Sequence, residues 1–418
     1  MLLVNKCTLG VHKRVTEENM RKLNKTAACG ILAAALAAGT LSGCSKAIDG
    51  TKTVATVGDE KVTLGLASYM VRDQQAQTTS YYNMLMSQYG VSGSASNVWD
   101  QKGDDGKTVG ESSKDGVMTT INQLYVLKAH AADYDVTITD DEEKAIKEAA
   151  AEFIKDNDEK ILKKLAVSED DIVTYLELVT IRSKMHDPMT ADVDTEVSAN
   201  EKDQTRVTIV KVSTEGTEKD DDGNTIDLTD EEKAQKKDLA QQVLDKVKAS
   251  DDVANADMDA LAKEVDDSLS ATAPAFTTAG STDDTLDEAV QDAALELKDG
   301  EVADSVIEGD DGYYVVRLDK MLDEDATENK EKTVISERKS DLFDSTLEDW
   351  VKEEKIKVKD KVWDQITVTD SVSFVYKSAD SSDDTKSSDA QDSTEDTSSQ
   401  DNSEDTTTED TAAEDSAE

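Results

Sequence analysis

Hydrophobic residues between positions 53 and 188 follow the period of an α-helix after one short β-branched strand at Val54–Val57. The pattern predicts a long helix from Leu64 to Tyr89, followed by a Gly-, Ser- and Asp-rich loop over 90–116. Three further helices are predicted, beginning near Asp115, at Thr139 and at Ser168. The last should end at Asp187, because a residue before proline is disfavoured in the helical region. This part of the chain predicts one strand and a helical bundle.

The pattern changes after residue 204. A strand is predicted at Val207–Val212, and a capping box at Thr229 opens the first of three helices. Two strands follow at Val302–Ile307 and Tyr313–Leu318. This β-α-α-α-β-β order predicts a compact α+β domain. An amphipathic helix over about 330–355 and a short strand at 356–358 come after it.

The predicted organisation combines these parts with terminal segments of different composition. The predicted segments are a signal peptide at 1–43, a lipidated Cys and tether at 44–52, the N-terminal part of a helical domain at 53–188, a linker at 189–204, the α+β domain at 205–322, a helix and strand returning to the helical domain at 326–370, and a disordered acidic tail at 378–418.

The segment before the first strand has the features of a secretory signal. Basic residues precede an apolar stretch from Ala27 to Leu41, and Met20 is a better start than Met1 because Met20-Arg21-Lys22 opens an ordinary n-region. The end of the stretch, Leu41-Ser42-Gly43-Cys44, resembles a bacterial lipobox. That resemblance implies cleavage before Cys44 and acylation of its thiol. The alternative, an uncleaved alanine-rich helix, is disfavoured because the stretch is short and only weakly hydrophobic.

Composition excludes several classes of function. The net charge of −47 is incompatible with binding nucleic acid by phosphate neutralisation. The three cysteines all lie at or before position 44, and only His130 and His186 follow it, so we expect neither a metal nor another cofactor. The tail at 378–418 carries fifteen acidic residues and one lysine, which predicts a solvated, self-repelling segment. Binding of wall cations is the alternative for this tail.

The α+β segment resembles the parvulin (PpiC-type) rotamase domain. The matching motifs are Arg206 to Val210 on the first strand, Leu261-Ala262 on a helix, Phe276 and Gly280 in a loop, Lys298-Asp299-Gly300-Glu301-Val302, and Gly312-Tyr313-Tyr314-Val315-Val316-Arg317-Leu318. The flanking helices resemble the chaperone segment of SurA-like and PrsA-type foldases, in which a parvulin domain is inserted. With the lipobox, the resemblance implies a foldase on the outer face of a Gram-positive-type cell membrane, with unfolded exported proteins as partners.

The resemblance also places the site residues. The two core histidines of active parvulins correspond to Thr208 and Tyr314, and Met258 and Phe276 correspond to an apolar proline pocket. Prolyl isomerisation requires an apolar cleft that favours the twisted amide and needs no covalent chemistry. The resemblance therefore implies a parvulin-like domain with weak or lost isomerase activity.

Three functions are compatible with the sequence. The first is a membrane-anchored chaperone or foldase, the second an active prolyl isomerase, and the third a solute-binding lipoprotein of a transporter. The third requires alternating β-α units throughout, which the helical residues 64–188 do not show. The Met and Tyr residues of the helix at 64–89 fit either an ordinary core face or a surface that grips apolar clients. The sequence does not set the oligomeric state.

Overall fold

The computed structural model describes residues 36–39, 48–88, 98–217, 225–280 and 286–377. Cys44, Met20 and the acidic tail at 378–418 lie outside the described residues, so lipidation, the start site and the nature of the tail stay predictions. No helix in the described part of the chain is long and apolar enough to cross a membrane.

The chain contains both helices and strands in a mixed order, which confirms the predicted α+β class. The strands are β1 (Leu36–Gly39), β2 (Thr53–Val57), β3 (Glu60–Thr63), β4 (Gln204–Ser213), β5 (Ala271–Thr272), β6 (Ala275–Thr277), β7 (Ile307–Glu308), β8 (Gly312–Lys320), β9 (Ile356–Val358) and β10 (Ser373–Tyr376). The helices are α1 (Leu64–Gln88), α2 (Val109–His130), α3 (Asp140–Asp156), α4 (Glu159–Leu165), α5 (Glu169–Met189), α6 (Ala199–Lys202), α7 (Asp230–Lys248), α8 (Met258–Lys263), α9 (Glu288–Leu295), α10 (Glu324–Glu353) and α11 (Asp360–Trp363).

The helical part has one apolar core to which both ends of the chain contribute. Residues of β2, α1, α2, α3 and α5 share it with Phe343 and Leu347 of α10 and with Trp363 and Ile366. Strand β9 also pairs antiparallel with β2. The C-terminal segment therefore returns to the helical part, while the residues between α5 and α10 build a separate sheet.

Three predicted boundaries were wrong. Helix α2 begins at Val109 instead of near Asp115, because Thr108 and Glu111 form a capping box within the predicted loop. Helix α5 continues through Pro188 to Met189, since a proline this close to a helix end disturbs little of the hydrogen-bond ladder. The predicted strand at 302–307 is reduced to Ile307–Glu308 and one bridge at Val302.

The capping box that opens α5 also joins this helix to β3 and α1. Asp171 is buried, accepts hydrogen bonds from the backbone and hydroxyl of Ser168, and accepts another from the Thr63 hydroxyl. A Cβ on Gly65 would lie 2.3 Å from the Asp171 carboxylate. Glycine at this position is therefore a requirement of packing.

A two-stranded sheet lies at one edge of α1. Strand β10 pairs antiparallel with β1, from Leu36 opposite Tyr376 to Gly39 opposite Ser373. Strand β1 falls inside the predicted signal peptide, so part of that segment is packed against the folded chain.

Candidate functional site

The sheet between α5 and α10 carries two separate apolar cores, one on each face. Strands β4 and β8 pair antiparallel along most of their length, with β5 and β6 next to β4 and β7 next to β8. Val210, Val212, Tyr313 and Val315 pack against α7 and α8, and this surface is called the α7 face. The opposite surface packs against α9 and is called the α9 face; its strand residues are Val207, Ile209, Tyr314, Val316 and Leu318.

Thr208 lies on the α7 face, where its hydroxyl belongs to a polar network. It donates to Asp319 Oδ2 at 2.6 Å and accepts from a guanidinium nitrogen of Arg317 at 3.3 Å. Arg317 also donates to Asp319 Oδ1 at 2.8 Å and to the carbonyls of Val253 and Ala256 at 3.2 and 2.8 Å. The Thr208 hydroxyl thus links a charged pair inside the sheet.

Tyr314 lies on the α9 face, next to the turn that precedes β8. Its hydroxyl donates to Asp311 Oδ1, while Lys211 Nζ donates to Asp311 Oδ2 at 2.6 Å. Hydrogen bonds from Lys211 and Tyr314 hold the pKa of the Asp311 carboxyl below its ordinary value. Burial and the bond to Asp311 raise the pKa of Tyr314 well above its ordinary value, so the hydroxyl keeps its proton.

The structure does not bring Thr208 and Tyr314 together. Thr208 pairs with Arg317 in the β4–β8 ladder, three residues from Tyr314. Because strand side chains alternate between faces, an odd separation places the two side chains on opposite sides of the sheet. Their roles as degenerate catalytic positions stay a prediction, without shared geometry in support.

Met258 and Phe276 are likewise placed apart. Met258 opens α8 and belongs to the core of the α7 face, whereas Phe276 on β6 belongs to the core of the α9 face. Their exposed fractions are 2% and 1%. Two fully packed side chains on opposite faces do not line one pocket in this conformation.

Several residues beside Tyr314 were missed by the sequence reasoning. Asp287 accepts from the backbone N–H of Asp310 at 2.7 Å, and a Cβ on Gly309 would lie 2.3 Å from its carboxylate and 2.8 Å from the Tyr314 ring. Half-buried apolar side chains, Leu286 and Ile307, pack against the same core. The sequence feature that could have indicated this cluster is the Gly309-Asp310-Asp311-Gly312 turn. This tight turn places the start of β8 next to Asp287, the residue before α9.

We call this cluster, formed by Lys211, Asp287, Gly309, Asp311 and Tyr314, the Tyr314 site. Its chemistry suits binding: a phenol held in its protonated form, one ion pair and an adjoining apolar wall. Lys211 Nζ also lies 5.9 Å from the centre of the Tyr314 ring, within range of a cation–π contact. Tyr314 is 4% exposed, so its ring belongs to the packed core, and the accessible rim of the site consists of the Lys211 and Asp311 side chains.

Replacing Tyr314 by phenylalanine tests the rim. One of the two hydrogen bonds to the Asp311 carboxylate is lost, so the pKa of Asp311 should rise toward its ordinary value. NMR titration of the Asp311 carboxyl carbon measures this shift. Tyr313→Phe makes the same change on the opposite face and should leave the Asp311 titration unchanged; an equal shift in both variants contradicts the assignment.

The pH dependence of stability follows from the sign of this shift. The folded-state pKa of Asp311 is lowered, so its contribution is present above the unfolded pKa and is lost as pH falls through the folded pKa. The stability difference between Tyr314→Phe and the parent chain should therefore shrink on acidification. Since Asp311 is half-exposed, solvent screening keeps this effect small.

The apolar surface of α1 divides into two halves. Tyr69 and Met70 are buried, which fits an ordinary core face. Met84, by contrast, is 61% exposed, and Tyr81, Tyr82, Leu85 and Met86 are half-buried. The end of α1 thus presents a Met- and Tyr-rich surface, which we call the α1 tip.

A cleft on the helical part is lined mainly by charged residues, unlike the α1 tip. It has a volume of about 430 Å³ and is lined by Asp105, Gly106, Lys107, Glu111, Lys114, Asp115, Trp363 and Asp364. Lys114 Nζ lies 4.8 Å from the centre of the Trp363 ring. With its charged walls, this cleft is a poor match for an apolar segment of a client.

Comparison with known proteins matches a domain family to the part of the chain that follows β4. Residues 219–331 match the family model described as the PPIC-type PPIase domain. The chain thus carries a PPIC-type PPIase domain, and none of its three histidines lies within it. No curated protein matches the chain.

Solved structures with similarity to the chain include foldases and chaperones. The foldase protein PrsA from Streptococcus pneumoniae is 17% identical, with 63% of this chain and 97% of that chain covered and a TM-score of 0.29. The peptidylprolyl isomerase PrsA from Bacillus cereus is 18% identical, with coverage of 63% and 94% and a TM-score of 0.27. A structure reported for the SurA-like chaperones PEB4 and Cj1289 of Campylobacter jejuni is 15% identical, with coverage of 62% and 99% and a TM-score of 0.18.

Proposed function

We propose that this protein is a membrane-anchored, extracytoplasmic foldase that holds unfolded exported proteins, with a PPIase domain of weak or lost isomerase activity. The match of residues 219–331 to the PPIC-type PPIase domain carries the proposal. The lipobox ending at Cys44 supports the anchor and the location. Unfolded polypeptides are the partners that this combination requires.

The Tyr314 site supports weak activity in the PPIase domain. Tyr314 and Asp311 satisfy one another, and the domain contains no imidazole. A prolyl isomerase must bind the twisted amide more tightly than the planar one, against a barrier of about 18–20 kcal/mol. Because the phenol is already bound to Asp311, we expect it to contribute less to this discrimination than a free hydrogen-bond donor.

The α1 tip supports client holding. Methionine is flexible and polarisable, so a Met-rich surface adapts to apolar segments of different shape. A contiguous exposed apolar surface is a common mark of a protein interaction site. The acidic remainder of the chain would keep a complex with a client soluble and would favour basic clients.

Two assays on the same protein test the proposal. We expect the mature chain to suppress aggregation of chemically denatured citrate synthase at near-equimolar ratio, yet to accelerate isomerisation of a Glu-Pro or Ala-Pro peptide by less than about twofold. A large acceleration that Tyr314→Phe reduces would favour the alternative, an active prolyl isomerase. Failure to suppress aggregation by a folded chain would refute the holding function.

A matched pair of variants locates the holding surface. Met84→Glu on the α1 tip should weaken aggregation suppression severalfold, because it places a charge in the apolar contact. Leu322→Glu is the control, since Leu322 is 51% exposed and lies between β8 and α10. Both variants add the same charge at an exposed site, so equal effects would argue against the α1 tip.

A further inference from the structure

The segment that precedes Cys44 occupies an apolar groove on the folded chain. Leu36 is 4% exposed and packs with Ala76 of α1, Leu165 at the end of α4, and Phe374 of β10. Its backbone is paired with β10 from Leu36 to Gly39. We call the combination of this pocket and the paired edge of β10 the β10 groove.

A buried side chain fixes the position of the segment. The N–H of Leu36 donates to Asn157 Oδ1 at 2.9 Å, and Asn157 is 7% exposed. Asn157 Nδ2 donates to the carbonyl of Phe153 at 2.8 Å, so the amide is oriented with its oxygen toward Leu36. Without Leu36, the Asn157 Oδ1 atom would still point into the groove but would lack this hydrogen-bond donor. A buried acceptor without a donor destabilises the folded chain.

Strand β10 is attached to the rest of the chain independently of β1. Gln75 Nε2 donates to the carbonyl of Val372 at 2.6 Å, and the Tyr376 hydroxyl donates to Asp73 Oδ1 at 2.8 Å. The guanidinium carbon of Arg72 lies 5.0 Å from the centre of the Phe374 ring. These contacts with α1 do not involve β1, so we expect β10 to keep its position when β1 is absent.

Cleavage before Cys44 would remove β1 entirely, since Gly39 lies five residues upstream. It would leave an unpaired strand edge, a pocket sized for a leucine side chain, and the acceptor on Asn157. An unpaired edge beside an apolar pocket is the arrangement to which an extended peptide adds as a further strand. The sequence that pairs with β10, Leu36-Ala-Ala-Gly39, contains one large apolar residue followed by small ones and carries no charge.

We propose that the β10 groove binds an extended, uncharged apolar segment of an unfolded exported protein, and that the chain's own residues 36–39 occupy it until signal cleavage. The proposal rests on the foldase function proposed above. While residues 36–39 occupy the groove, the precursor cannot bind this class of client there. Binding would begin only after the chain has been exported and cleaved.

The position of the groove suits this role. A Cβ on Gly50 would lie 2.0 Å from the carbonyl of Ala166, the residue after Leu165, so the chain passes close to the groove at Gly50. Residues 44–50 span at most about 25 Å when extended. A lipid on Cys44 would therefore keep the groove close to the membrane, where exported chains emerge.

The test compares three forms of the full protein with one labelled peptide. The peptide carries residues 31–42, Ile31 to Ser42, with lysines added at its end for solubility, and fluorescence anisotropy measures binding. The uncleaved chain with Cys44→Ala should not bind it, whereas the mature chain and the uncleaved chain with Leu36→Asp should. Leu36→Asp should release β1, because a carboxylate in an apolar pocket is strongly disfavoured.

Asn157→Leu tests the acceptor, and Asn329→Ala is its control on an exposed position of α10. In the mature chain, Asn157→Leu should weaken peptide binding at least tenfold and Asn329→Ala should not. A peptide with Leu36 replaced by aspartate tests the pocket in the unmodified mature chain, and it should bind no better than background. This second test remains valid if Asn157→Leu disturbs folding. Equal affinity of the uncleaved and mature chains, or of both peptides, overturns the proposal.

Competition separates this proposal from the foldase function itself. Excess peptide should reduce the suppression of citrate synthase aggregation by the mature chain. If suppression persists with the groove filled, the foldase function stands and the β10 groove is not the client site. If the mature chain suppresses no aggregation yet binds the peptide, the foldase function fails and the groove is a signal-segment site only.

Discussion

Phe276→Ala is expected to destabilise the PPIase domain by about 3–5 kcal/mol, the range for removal of a fully buried aromatic side chain. Phe276 is 1% exposed and packs with Val207, Val290 and Leu318 on the α9 face. Strand β6 is only three residues long, so the ring is its main anchor to the sheet. Hydrogen–deuterium exchange of β4 and β8 in the full chain, at increasing urea, measures the loss.

The helical core provides the control for this prediction. Phe153→Ala removes an equally buried ring from α3, which packs in a different core. It should accelerate exchange in the helical part and leave β4 and β8 close to the parent chain. Unchanged exchange of β4 and β8 in Phe276→Ala would contradict the role of this ring in stabilising the sheet.

Burial of Phe276 makes this residue an ambiguous probe of function. Loss of isomerase or holding activity in Phe276→Ala would follow from unfolding of the sheet, with no contact between the ring and proline. Tyr314 is a better probe, because Tyr314→Phe removes one hydroxyl and keeps the packed ring. A pocket assignment therefore needs a variant such as Tyr314→Phe, which keeps the packed ring, and not one that removes a core side chain.

Local signals account for the part of the fold that the sequence predicts well. The capping boxes at Thr139, Ser168 and Thr229 are all formed in the structure and open helices at the expected residues. Such signals act through bonds between residues three apart, so they do not depend on the rest of the fold. The early start of α2 came from the same signal at Thr108, which lies in a segment too rich in glycine and serine to suggest a helix.

Long-range pairing accounts for what the sequence could not predict. Strands β1 and β10 are more than 300 residues apart, and no local pattern indicates that they pair. The same limit applies to the site. The resemblance placed Thr208 and Tyr314 by their order along two strands, whereas their faces depend on the β4–β8 register, which only the folded sheet defines.

The assignment of Thr208 can be tested through its buried partner. Arg317→Met should destabilise the domain by about 2–4 kcal/mol, because it removes the cation paired with Asp319 and leaves Asp319 Oδ1 and two backbone carbonyls without their donor. Arg317 is 9% exposed, and its guanidinium connects Thr208, Asp319 and the turn at 253–256. Equilibrium urea unfolding, followed by hydrogen–deuterium exchange of β4 and β8, measures the effect. Lys320→Met is the control on an exposed position of the same strand, and it should change stability by less than about 0.5 kcal/mol.

A double-mutant cycle then decides between a structural and a catalytic Thr208. If the hydroxyl serves the network, Thr208→Val should cost about 1 kcal/mol in the parent chain and much less in a chain that carries both Arg317→Met and Asp319→Leu, since both hydrogen-bond partners of the hydroxyl are then gone. Removing both charges in Arg317→Met with Asp319→Leu should recover part of the loss. If Thr208→Val instead left stability unchanged and lowered isomerisation or client holding, Thr208 would act on a ligand. The geometry favours the first outcome, because the Thr208 hydroxyl already has a donor and an acceptor within the sheet.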